Sequence, residues 1–151
     1  MGTNAGFSTL SFSEAKAGFS DVMSGVVREH RPAVVERHRG KEAMLLLGLG
    51  DLRPLLEHFP FTTRASVSEG EFVLHQPELG LVAGGESFED AATELEELAS
   101  AYAEQFFDRF GFYMETDRAT QMPWLLRVAL TPRDERAALL IPEVRRQEHD
   151  A

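Results

Sequence analysis

The chain has 151 residues, of which 43% are hydrophobic, and a formal net charge of -10. This length and apolar content suit one folded domain or two small ones, and no run approaches the roughly 20 apolar residues that a membrane span requires. The absence of cysteine excludes disulfides and thiolate metal sites, and because the N-terminus lacks a basic-then-apolar leader, we expect a cytoplasmic protein.

The charge is distributed unevenly along the chain. Through Pro60, seven basic residues balance seven acidic residues, so the other eight basic and 18 acidic residues carry the whole net charge. The densest positive cluster is Arg37, His38, Arg39 and Lys41. A neutral front with a basic cluster, joined to an acidic back, suggests two different partners. The alternative is that the acidic half only provides a soluble surface.

The first predicted elements are a strand and a helix. β-forming side chains alternate over residues 7–12, which predicts a short strand. Ser13 is then suited to cap a helix whose apolar side chains recur at three- and four-residue spacing. These side chains are Phe19, Val22, Met23, Val26 and Val27. The helix must end before Pro32, which cannot continue it.

A β-hairpin is predicted next. Strands are expected at Ala33–Glu36 and Glu42–Leu47, because Gly40 between them supplies the positive φ that a tight turn demands. The continuous apolar run Met44–Leu47 predicts that the second strand is buried. A short helix, capped by Asp51, is expected to follow through His58.

A second folded segment is predicted after a connector at residues 61–70. It begins with strands Glu71–His75 and Leu81–Ala83, after which Ser87 and Asp90 form the capping box of the longest helix. The apolar stripe of this helix comprises Phe88, Ala91, Ala92, Leu95, Leu98, Ala99, Tyr102 and Phe106. The rest of its surface is acidic, so the helix should pack through one face.

The C-terminal part is predicted to form short helices. Pro123 and Pro132 suit first helical turns, which predicts helices at Trp124–Leu130 and Arg133–Ile141. Glu143–Ala151 has almost no apolar side chains, so we expect this tail to fray.

Together these elements predict an α+β protein. A β-α-β-β-α unit occupies residues 1–60, a connector follows over residues 61–70, and a ββα unit occupies residues 71–111. Residues 112–151 then supply the short helices and the frayed tail.

No enzyme motif is recognisable in the sequence. No serine lies in a Gly-x-Ser-x-Gly elbow, and the five histidines show neither His-x-x-x-His nor His-Glu-x-x-His spacing. The glycines at Gly48–Gly50 and Gly84–Gly85 lack the other residues of nucleotide-binding loops. We therefore predict no catalytic residues, no metal and no cofactor.

The front of the chain resembles the Phd/YefM family of antitoxins, the labile halves of bacterial toxin–antitoxin pairs. The segments that carry the resemblance, in the family's order, are Ser11–Lys16, Phe19–Val22, Ala33–Arg37, Gly40-Lys41 and Glu42–Leu47. The resemblance covers about residues 8–58. It implies a homodimer, or a tetramer, that is built through β-hairpins and presents basic side chains to operator DNA.

The resemblance also implies which residues contact DNA. Lys16 and Arg37 stand where the family has two arginines. Since lysine lacks the bidentate fork of arginine, we expect a phosphate contact at position 16 rather than base reading. Positive charge near the turn adds Arg39 and Lys41, and the first helix adds Arg28. The alternative is that this exposed turn is basic for solubility alone.

The back of the chain resembles HicB-type antitoxin domains over a short stretch, in Gln76–Leu81 and Gly84–Ala91. Together the resemblances imply an antitoxin of a type II pair, which neutralises a cognate protein toxin by direct binding and represses its own operon. The rival hypothesis is a stand-alone DNA-binding repressor whose C-terminal half senses a ligand or mediates oligomerisation.

Candidate toxin anchors lie in the predicted helix after Pro123. An amphipathic segment beyond the folded core has apolar surface to bury in a partner. The anchors are Trp124, Leu125, Leu126 and Val128. The alternative for Trp124 is that it packs on the helix containing Leu95–Phe106.

Overall fold

The computed structural model describes residues 7–142. The chain divides into two compact units, the first ending at Glu57 and the second beginning at His58. Each unit contains a three-stranded sheet with helices, which confirms the predicted α+β class. Within the described residues, no helix combines the length and apolar character needed to cross a membrane. The predicted frayed tail, Glu143–Ala151, lies outside the described residues.

In the first unit, β2 is the central strand. The elements are β1 (Ser8–Ser11), α1 (Phe12–Ala17), α2 (Phe19–Val27), β2 (Ala33–Arg37), β3 (Glu42–Leu46) and α3 (Leu49–Leu56). β2 runs parallel to β1, with Glu36 opposite Ser11, and antiparallel to β3, with Arg37 opposite Glu42. The end of β1, and with it the start of α1, therefore lies at the same end of the sheet as the β2–β3 turn.

The first helix begins earlier than predicted, because Ser11 rather than Ser13 is its N-cap. The Glu14 N–H donates to Ser11 Oγ at 3.2 Å, and the Ser11 hydroxyl donates to Glu14 Oε1 at 3.0 Å. The first of these bonds satisfies a first-turn N–H, and the second fixes the Ser11 hydroxyl in place; Ser13 lies already inside the helix. The predicted single helix is two, which meet at Gly18.

Strand β3 is exposed, contrary to the prediction that Met44–Leu47 forms a buried strand. Met44 is 52% exposed and Leu45 is 55% exposed. β3 is an edge strand, whereas α1 contacts β1 and β2, where Val35 is buried. The apolar run correctly indicates a strand, but it does not specify which surface covers that strand.

The second unit contains an additional strand. Its elements are β4 (Arg64–Ser68), β5 (Glu71–Gln76), β6 (Leu81–Gly85), α4 (Phe88–Asp108), α5 (Phe110–Tyr113), α6 (Met122–Leu130) and α7 (Arg136–Leu140), with 3-10 turns at Asp117–Gln121 and Arg133–Glu135. The strands form an antiparallel meander. β4 occupies half of the expected connector 61–70, so the unit is βββα rather than ββα. All five residues of this edge strand are exposed, so the sequence carries little strand signal there.

Helix α4 forms one wall of the second core. Ser87 is its N-cap, as predicted, and the Asp90 N–H donates to Ser87 Oγ at 3.1 Å. The buried side chains of the helix are Ala91, Ala92, Leu95, Ala99, Ser100, Ala103 and Phe106. They pack against β5, β6, α6 and α7. The helix ends at Asp108, and Gly111 lies within the short helix α5 that follows.

A polar network around the buried Gln76 holds the β5–β6 turn. Gln76 is fully buried; its Oε1 accepts from the Leu79 N–H at 2.7 Å, and its Nε2 donates to Glu78 Oε1 at 3.2 Å. Glu78 Oε2 also accepts from Thr62 Oγ1 at 2.8 Å, and the Glu78 carbonyl accepts from Gln121 Nε2 at 3.1 Å. The network therefore joins three chain segments that are far apart in sequence.

We expect Gln76→Ala to lower the free energy of unfolding by about 1–3 kcal/mol, because it leaves the buried Leu79 N–H without its acceptor. Urea denaturation followed by circular dichroism measures the change. Gln105→Ala is the matched control, since Gln105 is exposed on α4 and its loss should cost less than about 0.5 kcal/mol. Equal effects of the two variants would contradict a structural role for the network.

Candidate nucleic-acid interface

The β2–β3 turn presents basic side chains on an unusual backbone. Three successive residues have positive φ: His38 at 54°, Arg39 at 58° and Gly40 at 80°. The Lys41 N–H donates to the His38 carbonyl at 3.2 Å and closes the turn. Glycine adopts this conformation without steric cost, whereas histidine and arginine do not. The turn thus keeps two long polar side chains at positions where glycine would be less strained.

Arg37, at the end of β2, is held from two sides. Its Nε donates to the Glu42 carboxylate on the opposite strand. The guanidinium carbon lies 5.9 Å from the centre of the Phe12 ring, at the start of α1. A guanidinium has four N–H groups besides Nε–H. The two contacts therefore orient the half-exposed side chain and leave it able to donate to a partner.

Lys16 lies one helical turn after Phe12, so the two residues share a side of α1. The structure therefore places Lys16 on the same side of the helix as the ring that contacts Arg37. Between this helix and the turn is a concave surface formed by residues 9–13 and 36–40. Of the predicted DNA-binding residues, Arg37 and Arg39 line it, Lys41 directly follows its lining residue Gly40, and Lys16 lies one helical turn after its lining residue Phe12. We call these four residues the basic tip.

Arg28 does not join the basic tip. It follows the last residue of α2, and this end of α2 lies next to Gly48. A Cβ built on Gly48 would be 3.5 Å from the carbonyl oxygen of Val26. Gly48 follows the end of β3 that is distant from the turn. A five-residue strand spans about 15 Å, so Arg28 lies at the opposite end of the sheet. The sequence predicted Lys16 and Arg28 on one helix, and it could not show that α2 runs back along the sheet, away from the turn.

Acidic residues accompany the basic tip. Glu42 pairs with Arg37, Glu14 bonds Ser11, and the Glu36 carboxylate lies 3.7 Å from where a Cβ on Gly40 would be. The net positive charge of this end in one chain is therefore small. Phe12 and Glu42 were not identified from the sequence, because their role depends on the parallel pairing of β1 with β2 and on the register of β2 with β3.

The predicted toxin anchors lie largely inside the second unit. Leu125 and Val128 are fully buried, which removes them from any surface that a partner could reach. The Trp124 Nε1–H donates to the Pro60 carbonyl at 2.9 Å, and its ring meets Phe59 edge-on at 5.2 Å. Leu126 is partly buried. The reason is that α6 packs on α4 and completes the core instead of extending beyond it.

Many of the acidic side chains of the second unit remain on its surface. Between His58 and residue 142 there are 15 acidic and six basic residues. Two acids of α4 have structural roles: Glu94 accepts from the Gly84 N–H at 2.6 Å, and Glu96 accepts from Arg133 Nε at 3.1 Å. The Gly84 contact covers part of the free edge of β6.

A solved structure from Syntrophomonas wolfei subsp. wolfei has a similar fold. It is described as an antitoxin part of a proposed toxin/antitoxin system, and it superposes with a TM-score of 0.75. The two sequences are 24% identical, and the match covers 88% of this chain and 96% of that chain. No curated protein matches this chain significantly.

A protein-family comparison covers both units in one match. Residues 7–142 match the PHD-like family, described as "Antitoxin of toxin-antitoxin, RelE / RelB, TA system". The sequence suggested an antitoxin resemblance for the front and a separate one for the back, whereas this family spans them together. The expectation of an antitoxin rather than an enzyme agrees with the match. The chain therefore belongs to the PHD-like family of antitoxins of toxin–antitoxin systems.

Proposed function

We propose that this antitoxin binds operator DNA through the basic tips of a homodimer and represses its own operon, while its second unit neutralises the cognate toxin by direct binding. The convergence of Lys16, Arg37, Arg39 and Lys41 at one end of the first unit carries the DNA part of the proposal. Cations at an exposed turn and an adjoining helix suit contacts to phosphates, and arginine also suits base edges.

The separation of charge supports a division of labour between the units. The first unit has as many basic as acidic residues, and the second carries the whole net negative charge. DNA repels an acidic surface, so the second unit is the less suitable of the two for contact with phosphates. An acidic surface suits instead a basic protein partner, and it attracts such a partner from a distance.

The exposed surface of the first unit supports the homodimer. Its buried apolar residues within the described chain are few: Ala15, Val26, Ala33, Val35 and Leu56. Its exposed large apolar residues are more numerous: Phe7, Phe12, Phe19, Met23, Val27, Met44, Leu45, Leu49 and Leu55. A second copy placed on β3 would bury Met44 and Leu45 and would also bring a second basic tip into the complex.

We expect the double variant Arg37→Ala/Arg39→Ala to lose selective binding to the DNA upstream of the gene. A gel-shift titration at several salt concentrations, beside a scrambled duplex, measures this. Since a dimer would lose four cations, the slope of log affinity against log salt should fall in magnitude by about 3–4. Rescue from the toxin should be unchanged, because the second unit supplies that surface.

Arg31→Ala is the matched control for this experiment. Arg31 also carries one positive charge, pairs with Glu29 at 3.2 Å, and lies before β2 at the end of the sheet opposite the turn. It should retain nearly all of the binding. Because Arg31→Ala removes one positive charge per chain and the double variant removes two, a control loss of half the size in log affinity would mean that DNA responds to overall charge rather than to the basic tip.

Arg39→Gly separates the role of the side chain from that of the backbone. Because glycine adopts φ of 58° without steric cost, we expect this variant to be as stable as the unaltered protein or slightly more stable, yet to bind DNA more weakly. Arg39→Ala removes the same charge but keeps the strain, so it should melt at a lower temperature than Arg39→Gly with a similar loss of DNA affinity. Unchanged DNA binding by Arg39→Gly would exclude Arg39 as a contact.

Leu45→Glu is expected to separate the dimer, because it places a carboxylate on the exposed face of β3. Sedimentation equilibrium measures the mass in solution, and a gel shift measures the accompanying loss of affinity when two half-sites are no longer linked. Val67→Glu, on the exposed strand β4 of the second unit, is the control and should leave the dimer intact. A dimer that survives Leu45→Glu would place the interface elsewhere.

A further inference from the structure

The end of α4 and the following α5 expose a group of large apolar side chains. Phe110 is 37% exposed, Phe112 is 54% exposed and Met114 is 40% exposed. Their neighbours Phe106 and Tyr113 are buried and stacked, with ring centres 5.2 Å apart. We call Phe110, Phe112 and Met114 the aromatic end surface.

The buried rings hold the exposed ones in position. Phe110 lies 5.9 Å from Phe106, and Phe112 lies 5.2 Å from Tyr113, both measured between ring centres. Side chains that are already fixed lose little conformational entropy when a partner covers them. The aromatic end surface is therefore better prepared for binding than single exposed residues such as Val67 and Val82, which lie on the sheet.

The chemistry around the aromatic end surface favours cationic side chains. The guanidinium carbon of Arg109 lies 4.6 Å from the centre of the Phe112 ring, which shows that this ring accepts a cation on its face. Helix α4 is 21 residues long and has no basic residue in its last turn, so Arg109, at its C-cap, is the basic side chain at the negative end of its dipole.

Two carboxylates add to this negative potential. Glu104 and Asp108 are exposed and lie four residues apart, hence on one side of α4. They line a recess together with Arg133 and Arg136. Those arginines bond elsewhere, Arg133 to Glu96 and Arg136 to Ser100 Oγ and the Thr131 carbonyl. Among residues 7–142, neither Glu104 nor Asp108 forms an ion pair.

We propose that the cognate toxin docks on the aromatic end surface, with apolar side chains against Phe110 and Phe112 and with lysine or arginine side chains beside Glu104 and Asp108. This inference rests on the proposed function, in which the second unit binds the toxin. It moves the contact from the predicted anchors Leu125 and Val128, which are buried, to aromatic residues that are exposed and firmly held.

The test uses the full-length antitoxin and, as probe, the protein encoded by the reading frame adjacent to its gene. Isothermal titration measures the affinity, and co-expression measures rescue of growth. Phe112→Ala should weaken binding by about 30-fold or more, as expected for a central aromatic anchor. Val82→Ala, an equally exposed apolar residue on β6, is the matched control and should change affinity by less than about threefold.

A second variant tests the cationic part without removing a ring. Glu104→Gln/Asp108→Asn keeps the size of both exposed side chains, so it should fold normally, and it should weaken binding and make it less sensitive to salt. Thermal melting of each variant shows whether it folds, and a gel shift shows whether the first unit still binds DNA.

The outcomes separate this inference from the function on which it rests. If the unaltered antitoxin neither binds nor neutralises the adjacent protein, the proposed function itself fails. If it does both and Phe112→Ala behaves like Val82→Ala, only the docking surface is overturned. If Phe112→Ala loses binding but the double carboxylate variant does not, the contact is apolar and the cationic part is wrong.

Discussion

The close packing of α4 against β6 is the interaction on which the second unit depends. A Cβ on Gly85 would lie 2.6 Å from the backbone nitrogen of Ala91, so glycine is required where strand and helix meet. The alanines of the buried helix face are equally suited to a short distance between helix and sheet. With this distance set, α6 and α7 close the other side, where Leu125, Val128 and Leu140 are fully buried.

This packing determines which surfaces remain for a partner. A C-terminal half that folded only on the toxin would lose conformational entropy at the moment of binding, whereas a preformed unit has already lost it. Its apolar face is used internally, so much of the exposed surface is acidic, and the exposed rings Phe110 and Phe112 lie where the chain turns after α4. Phe110 and Phe112 are apolar there because the aromatic cluster around Phe106 continues to the surface.

Among the described residues of the first unit, exposed large apolar side chains outnumber the buried apolar ones. Few of its apolar residues are buried, and an edge strand leaves Met44 and Leu45 exposed. Self-association would bury these side chains and, in the proposed complex, set the spacing of two basic tips on DNA. The strained turn at Arg39 is consistent with this role, since a backbone that costs energy persists where its side chains are useful.

The sequence by itself determined the class of fold and the family resemblance. The helix N-cap residues, the glycine of the β2–β3 turn and the apolar stripe of α4 are local patterns, which can be recognised within a single element. It missed β4, whose exposed polar residues resemble a loop, and it misplaced the cap of α1 by two residues. Only the tertiary structure decided that Arg28 lies away from the turn. It also decided that Leu125 and Val128 are buried in the core, whereas Phe112 is exposed. Burial and proximity depend on what packs against each face, and residue type and spacing do not specify that neighbour.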